Sequence, residues 1–221
     1  MTYDVEAVAR YLPFLLRGIT VTLQFTVLSF VLGSVLGLVF ALGRISRSPV
    51  LRVPCRAYID FIRGTPLLAQ IYLVHFGFPQ MFGYKPVGWV DAVVALTLNS
   101  AAYVAEIFRA GIESIERGQM EAARSLGMTY GQAMRYVVLP QAFRRVVPPM
   151  GNEFIALLKE SSLVSVIGME DLMMKARMMA GRSFKAFEAY FTIALIYLAL
   201  TFTFARLLDF LERRIKTNGH G

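Results

Sequence analysis

Between Ile19 and Leu42 the chain reads ITVTLQFTVLSFVLGSVLGLVFAL, with no Asp, Glu, Lys or Arg. A helix needs about 20 mostly apolar residues to cross the hydrocarbon of a bilayer. Its backbone N–H and C=O groups must then be satisfied within the segment, which a helix does. Four weaker candidates follow: about Tyr58 to Phe78, Trp89 to Phe108, Val146 to Gly168 and Phe187 to Leu208. The composition agrees, because 56% hydrophobic residues, 17% charged residues and a mean hydropathy of +0.54 exceed what a soluble domain carries. The fold class expected is all-α integral membrane with about five transmembrane helices. No second domain, linker or low-complexity tract interrupts residues 1–221, which read as a single transmembrane domain.

The segments differ in character. In the first, Ser29, Gly33, Gly37 and Ala41 recur every fourth residue, a small-residue stripe that lets another helix pack closely. The second carries Asp60, Arg63 and Pro66 near its start, so its first turns are expected at the interface or under protein. Basic residues mark the cytosolic loops of membrane proteins. With the N-terminus outside, the cytosolic parts hold Arg44, Arg47, Arg52, Arg56, Arg109, Arg117, Arg124, Arg135, Arg144, Arg145, Arg206, Arg213, Arg214 and Lys216. The outer parts hold Arg10, Arg17, Lys85, Lys175, Arg177, Arg182 and Lys185, half as many. That bias predicts an outer N-terminus and a cytosolic C-terminus. It is weakest at Met169 to Phe184, where a short outer helix that meets a partner is expected. The net charge of +8 is then a membrane-surface bias, and no basic face for nucleic acid is found.

Several chemistries are excluded. Cys55 is the only cysteine, so no internal disulfide forms, and His75 and His220 make no metal-ligand cluster. His75 has no evident companion for intramembrane enzymology. No G-x-x-x-x-G-K-[ST] loop is present to cradle nucleotide phosphates. Asp4 and Glu6 stand where a cleaved signal peptide carries basic residues, so the first span reads as a retained anchor.

Polar residues inside apolar spans are costly unless paired or wet, and they cluster in the fourth span, GNEFIALLKESSLVSVIG. Glu153, Leu157, Glu160, Ser161 and Val164 share one helix side, with Lys159 about 100° away. Lys159 joins that side only if the helix unwinds locally, a break that Ser161 and Ser162 can support through backbone hydrogen bonds. Asn99, with Thr97 and Ser100, lies mid-way along the third span. The candidate substrate path is therefore Asn99, Glu153, Lys159, Glu160, Ser161 and Ser162, with glutamates to receive an ammonium and Asn99 and the serines to bond a carboxylate. The competing reading is that these groups pair with other helices and hold them in register.

Between the third and fourth spans, at about 110–145, the chain reads as a polar elbow containing EAARSLGMTYGQAMRYVVLP from Glu121 to Pro140. Glu121 to Leu126 favours a helix that Gly127 can end in a left-handed turn. Thr129 and Gln132 have capping-box spacing, so a second helix is expected from near Tyr130 to about Val138, where Pro140 interrupts it. Glu121, Ala122 and Ala123, then Gly127 and a terminal Leu139-Pro140, resemble the EAA signature of bacterial ABC importer permeases; Val137 stands where that pattern usually has isoleucine. The runs FIRGTPLLAQIYL, LNSAAYVAEIFRAGI and NEFIALLKESSLVSVIG are similar to the polar amino acid branch of these permeases, which takes up histidine, glutamine, glutamate and arginine.

That resemblance implies a type I ABC importer-like core in the bacterial cytoplasmic (inner) membrane. It implies a second permease subunit, identical or paralogous, two cytosolic ABC ATPase subunits seated on the elbows, and an extracytoplasmic substrate-binding protein. Glu121, Ala122, Ala123, Arg124, Leu126 and Gly127 would couple to the ATPase, which binds ATP and Mg2+; this chain binds no cofactor of its own. An ion-coupled secondary amino acid carrier is the alternative, with Asp91, Glu106 and Glu160 as coupling groups.

Overall fold

The computed structural model describes residues 4–217; His220 lies outside them, and the side chain of Lys216 outside the described side chains. Helix α1 (Val5–Ile45) starts at Asp4, whose carboxylate accepts the Ala7 N–H at 2.9 Å and is thereby held below its ordinary pKa. Its 41 residues span roughly 60 Å at about 1.5 Å each, twice a bilayer's hydrocarbon. The uncharged stretch from Ile19 is long enough to fill the hydrocarbon, which leaves the turns before it to project beyond.

The stripe of Ser29, Gly33, Gly37 and Ala41 is buried against α5 (Gly88–Glu113). Ser29 meets Val93, Gly33 meets Ser100, Gly37 meets Val104 and Ala41 meets Ala105, so the two helices run parallel. Lipid is as apolar as leucine, so this contact rests on close packing of surfaces and not on escape from water.

Parallel neighbours need a return crossing, and it is made in pieces. Helix α2 (Pro49–Arg63) stops at Gly64, α3 (Leu67–Tyr72) follows Pro66, and a π-helical turn (Leu73–Gly77) leads into α4 (Phe78–Phe82). Ile59 packs beside Ala105, Gln70 beside Asn99 and His75 beside Asp91, which fixes the direction as antiparallel to α5. The expected continuous span from Tyr58 is thus broken at Gly64–Pro66, where proline cannot donate to the helix ladder.

After α5 come α6 (Arg117–Ser125) and α7 (Tyr130–Ala133), then a π-helical turn (Met134–Val138) and α8 (Leu139–Glu160). Pro140 does not interrupt the helix, contrary to the sequence reading. The widened π turn precedes it and places the proline in the first turn of α8, where its missing N–H is unneeded. A 3-10 segment (Ser161–Ile167) ends at Gly168, φ +82°, before α9 (Leu172–Ser183) and α10 (Ala186–Thr217). Gly111 faces Val146 while Ser100 lies near Glu153, so α8 opposes α5; Gly151 faces Leu208 and Phe154 faces Phe204, so α10 opposes α8. The start of α1 and the end of α10 therefore lie at opposite ends of the bundle. Among the described residues α1, α5 and α10 are long and apolar enough to cross a membrane as single helices.

The helix expected in Met169–Phe184 is α9. Its cations have local partners: Lys175 pairs with Glu170, pulling that carboxyl below its ordinary pKa, and lies 4.7 Å from the centre of the Phe14 ring, while Arg177 reaches the Ser165 carbonyl. Pairing explains how these charges sit against the basic bias. Asp171 caps the helix, accepting from Met173 N–H at 3.2 Å and Met174 N–H at 2.9 Å, although burial pushes its carboxyl up to about 6. Asp171→Ala should cost about 1–2 kcal/mol. In a melting experiment on the detergent-solubilised protein it should lower Tm by about 2–6 °C. Asp171→Asn keeps the acceptor and sheds the charge that burial opposes, so it should lose less.

Candidate functional site

The elbow is a two-limbed bracket at the end of the bundle where α5 finishes and α8 begins. Gly127 takes φ +85°, and its N–H and that of Met128 close on the carbonyls of Arg124 and Ala123, ending α6 in a Schellman-type turn. Thr129 and Gln132 then exchange hydrogen bonds in a capping box that starts α7. Two opposed caps around one left-handed glycine fix the angle between the limbs. Below them Ile115, Val138 and Ala142 form a small apolar core with Met120 and Met134.

Glu121, Ala122, Arg124 and Gly127 face solvent, and Leu126 is 82% exposed. Glu121 has no ion pair or hydrogen bond among the described residues, whereas Arg124 donates to the Met128 carbonyl at 2.9 Å. Ala123 faces the other way and is 4% exposed. Its part is to seat α6 on the second limb, so the surface a partner would meet is Glu121, Ala122 and Leu126.

A polar seam lies deeper, where α3, α5 and α8 converge. Gln70, buried in α3, donates to the Ile62 and Thr65 carbonyls at 2.8 and 3.1 Å and accepts from Asn99 Nδ2 at 3.0 Å. Asn99 Oδ1, Thr97 Oγ1 and Ser100 Oγ are buried without a hydrogen-bond partner among the described residues. Glu153 comes in from α8 beside Ser100, with Glu160 near enough to interact electrostatically. At Ser161 the α-helix tightens to 3-10 and does not unwind, and Ser161 Oγ donates to the Leu158 carbonyl at 2.8 Å. Ser162 is half-buried and Lys159 exposed. The structure thus places Asn99 beside Gln70 and Glu153 beside Ser100, on adjacent positions of α5, and leaves Lys159 at the surface.

Asn99 uses one of its two amide N–H groups on Gln70 and leaves Oδ1 open to accept, while Ser161 donates to Leu158 and keeps its oxygen as an acceptor. Gln70 was missed; the legible signal was an uncharged polar side chain inside the apolar run LLAQIY, which must find a partner on leaving water. His75 also has the companion the sequence did not reveal, since Asp91 Oδ2 lies 2.7 Å from its Nδ1.

Near the elbow, Glu106 gathers Arg44 at 3.0 Å, Arg63 at 3.9 Å and Arg109, tying α1, α2 and α5 together. Residues 33–217 match the family described as the inner membrane component of binding-protein-dependent transport systems. The chain belongs to this family. It is 41% identical to the arginine transport system permease protein ArtQ of Bacillus subtilis (strain 168) over 99% of this chain and 100% of that one. It is 35% identical to the glutamine transport system permease protein GlnP of Escherichia coli (strain K12), covering 98% and 99%. A crystal structure of an amino acid ABC transporter with histidines superposes with TM-score 0.93 at 45% identity, covering 97% and 100%.

As a permease of this family the chain is a multi-pass inner membrane protein, and the secondary-carrier reading falls. Two of its three proposed coupling carboxylates are also differently employed. Glu106 is held by arginines at the elbow end and Asp91 by His75, leaving only Glu160 near the seam.

Proposed function

We propose that this permease moves polar amino acids inward through the Asn99–Glu153 seam and is driven by ATPase subunits that grip the Glu121–Leu126 edge of its elbow. The observation that carries the reading is that edge. A preformed, rigidly capped bracket presents a glutamate with no partner among the described residues, a small alanine and a nearly bare leucine beyond the end of α5, the helix that carries Asn99. The sequence has no phosphate-cradling loop, so energy arrives by contact. ATP and Mg2+ belong to the partner subunits, and a second permease and an extracytoplasmic binding protein complete the assembly, with the N-terminus outside.

Amino acid cargo is supported by relatives named for arginine and glutamine transport and by the histidine-containing structure. It also fits the seam, where Asn99 Oδ1 and Glu153 offer acceptors to an ammonium and the Thr97 hydroxyl offers a donor to a carboxylate. Proteoliposomes holding the permease, its ATPase subunits and its binding protein should accumulate radiolabelled arginine, glutamine or histidine only with ATP, and an ionophore should not abolish it. Uptake driven by an ion gradient without ATP would refute the proposal. Asn99→Leu should cut the uptake rate by about 10- to 100-fold, as losing one or two hydrogen bonds to a charged group implies, while ATPase binding stays normal.

A further inference from the structure

Helix α2 carries two faces that nothing else in the described chain covers. Val50, Val53, Ala57 and Phe61 line one side at helical spacing, with Val50 78%, Val53 61% and Phe61 58% exposed. Ile59 and Ile62 point elsewhere and are buried. A third arc, adjoining the exposed apolar one, carries Arg52 and Arg56, and Arg47 lies just ahead of the helix.

The cations of this region fall into two groups. Arg44 and Arg63 are turned inward to Glu106. Arg47 and Arg52 are exposed and have no acidic partner among the described residues, and Arg56 has only Asp60 at 3.3 Å, both well exposed. The depth of the helix is fixed by its contacts. The uncharged stretch of α1 ends at Leu42, Tyr58 stacks on Phe40 with ring centres 4.1 Å apart, and Ile59 packs beside Ala41. Helix α2 therefore starts where the hydrocarbon of α1 ends.

We propose that α2 is an anionic-phospholipid binding surface: its Val50–Phe61 side dips into the acyl boundary while Arg47, Arg52 and Arg56 hold lipid phosphates. An exposed apolar side flanked by arginines is the pattern of an interfacial helix. Guanidinium groups bind phosphate through paired N–H donors. A net-negative headgroup is selected over a zwitterionic one because these charges have little acid nearby to answer them. Each arginine near an anionic surface contributes about fivefold in affinity.

The test uses the detergent-purified permease with its ATPase subunits, titrated with phosphatidylglycerol or phosphatidylcholine and read by native mass spectrometry. Phosphatidylglycerol should be retained in preference to phosphatidylcholine. Replacing Arg47, Arg52 and Arg56 together by Gln should weaken it by about 100-fold, whereas replacing them by Lys should keep most of the binding. Equal retention of the two lipids, or unchanged phosphatidylglycerol binding in the Gln variant, overturns the proposal. A fluorophore attached after Val53→Cys in a Cys55→Ala background should be quenched by spin-labelled phosphatidylglycerol in vesicles. A disulfide between two copies at that position would instead assign the face to a second permease and also overturn it.

Discussion

Glu121→Arg should reduce ATP-driven uptake by about 100-fold, within the range set by reversing one charge of a desolvated interface pair, with no loss of membrane insertion. The separation of the two effects follows from exposure. Glu121 is at the surface and pairs with nothing among the described residues, so reversing its charge should change the stability of the isolated permease by less than about 0.5 kcal/mol. Against an ATPase subunit shaped for a carboxylate, the same change replaces attraction by repulsion. Ala122→Trp should act alike through bulk, since the alanine lets a partner backbone approach. The readouts are co-purification of the ATPase subunits and ATP-dependent uptake; both should fall together while Tm holds. Ala123→Trp is the informative contrast. Its site is inside the elbow, so it should lower Tm as well as uptake. Normal ATPase capture and uptake in Glu121→Arg would remove the elbow from the coupling role.

The elbow was the most legible part of the chain because its signals are local. Gly127, Thr129 and Gln132 act on backbone within one turn of themselves, so their spacing encodes the two caps. The small-residue stripe of α1 was legible for a similar reason, since residues four apart share a helix face whatever they meet. What they meet was not. The pairings of Gln70 with Asn99, His75 with Asp91 and Glu106 with Arg44 join residues on different helices, and no periodicity in one segment names its partner in another. The burial of Ala123 was not legible, because an alanine's spacing does not distinguish a face left open for a partner from one already filled. Pro140 was read as a breaker because the rule assumes an unbroken α ladder, which the π turn at Met134–Val138 relaxes.

Gly37→Leu should abolish recovery of folded permease, because the site where α1 touches α5 has no room to yield. A Cβ there would stand 2.7 Å from Val104 Cγ1 and 2.9 Å from the Ala101 carbonyl oxygen. Valine is stiff about its first torsion, and the carbonyl belongs to a helix backbone, so neither can step aside cheaply. Overpacking of a filled core costs about 1–3 kcal/mol where side chains can adjust, and here the obstacle includes backbone. The only relief is to lift α1 from α5, which undoes the stripe at Gly33 and Ala41 as well. Gly37→Ala should be intermediate, with a lowered Tm. Gly181→Ala, at an exposed helical site with nothing within 4 Å of the added carbon, should be neutral or gain up to about 1 kcal/mol from helix propensity. The ordering, read as the fraction of monodisperse protein after detergent extraction and as Tm, tests whether contact distance sets the cost. If Gly37→Leu folds as well as Gly181→Ala, then α1 is not fixed on α5. The seam at Asn99 would in that case be held in place by the return crossing through Gln70 alone.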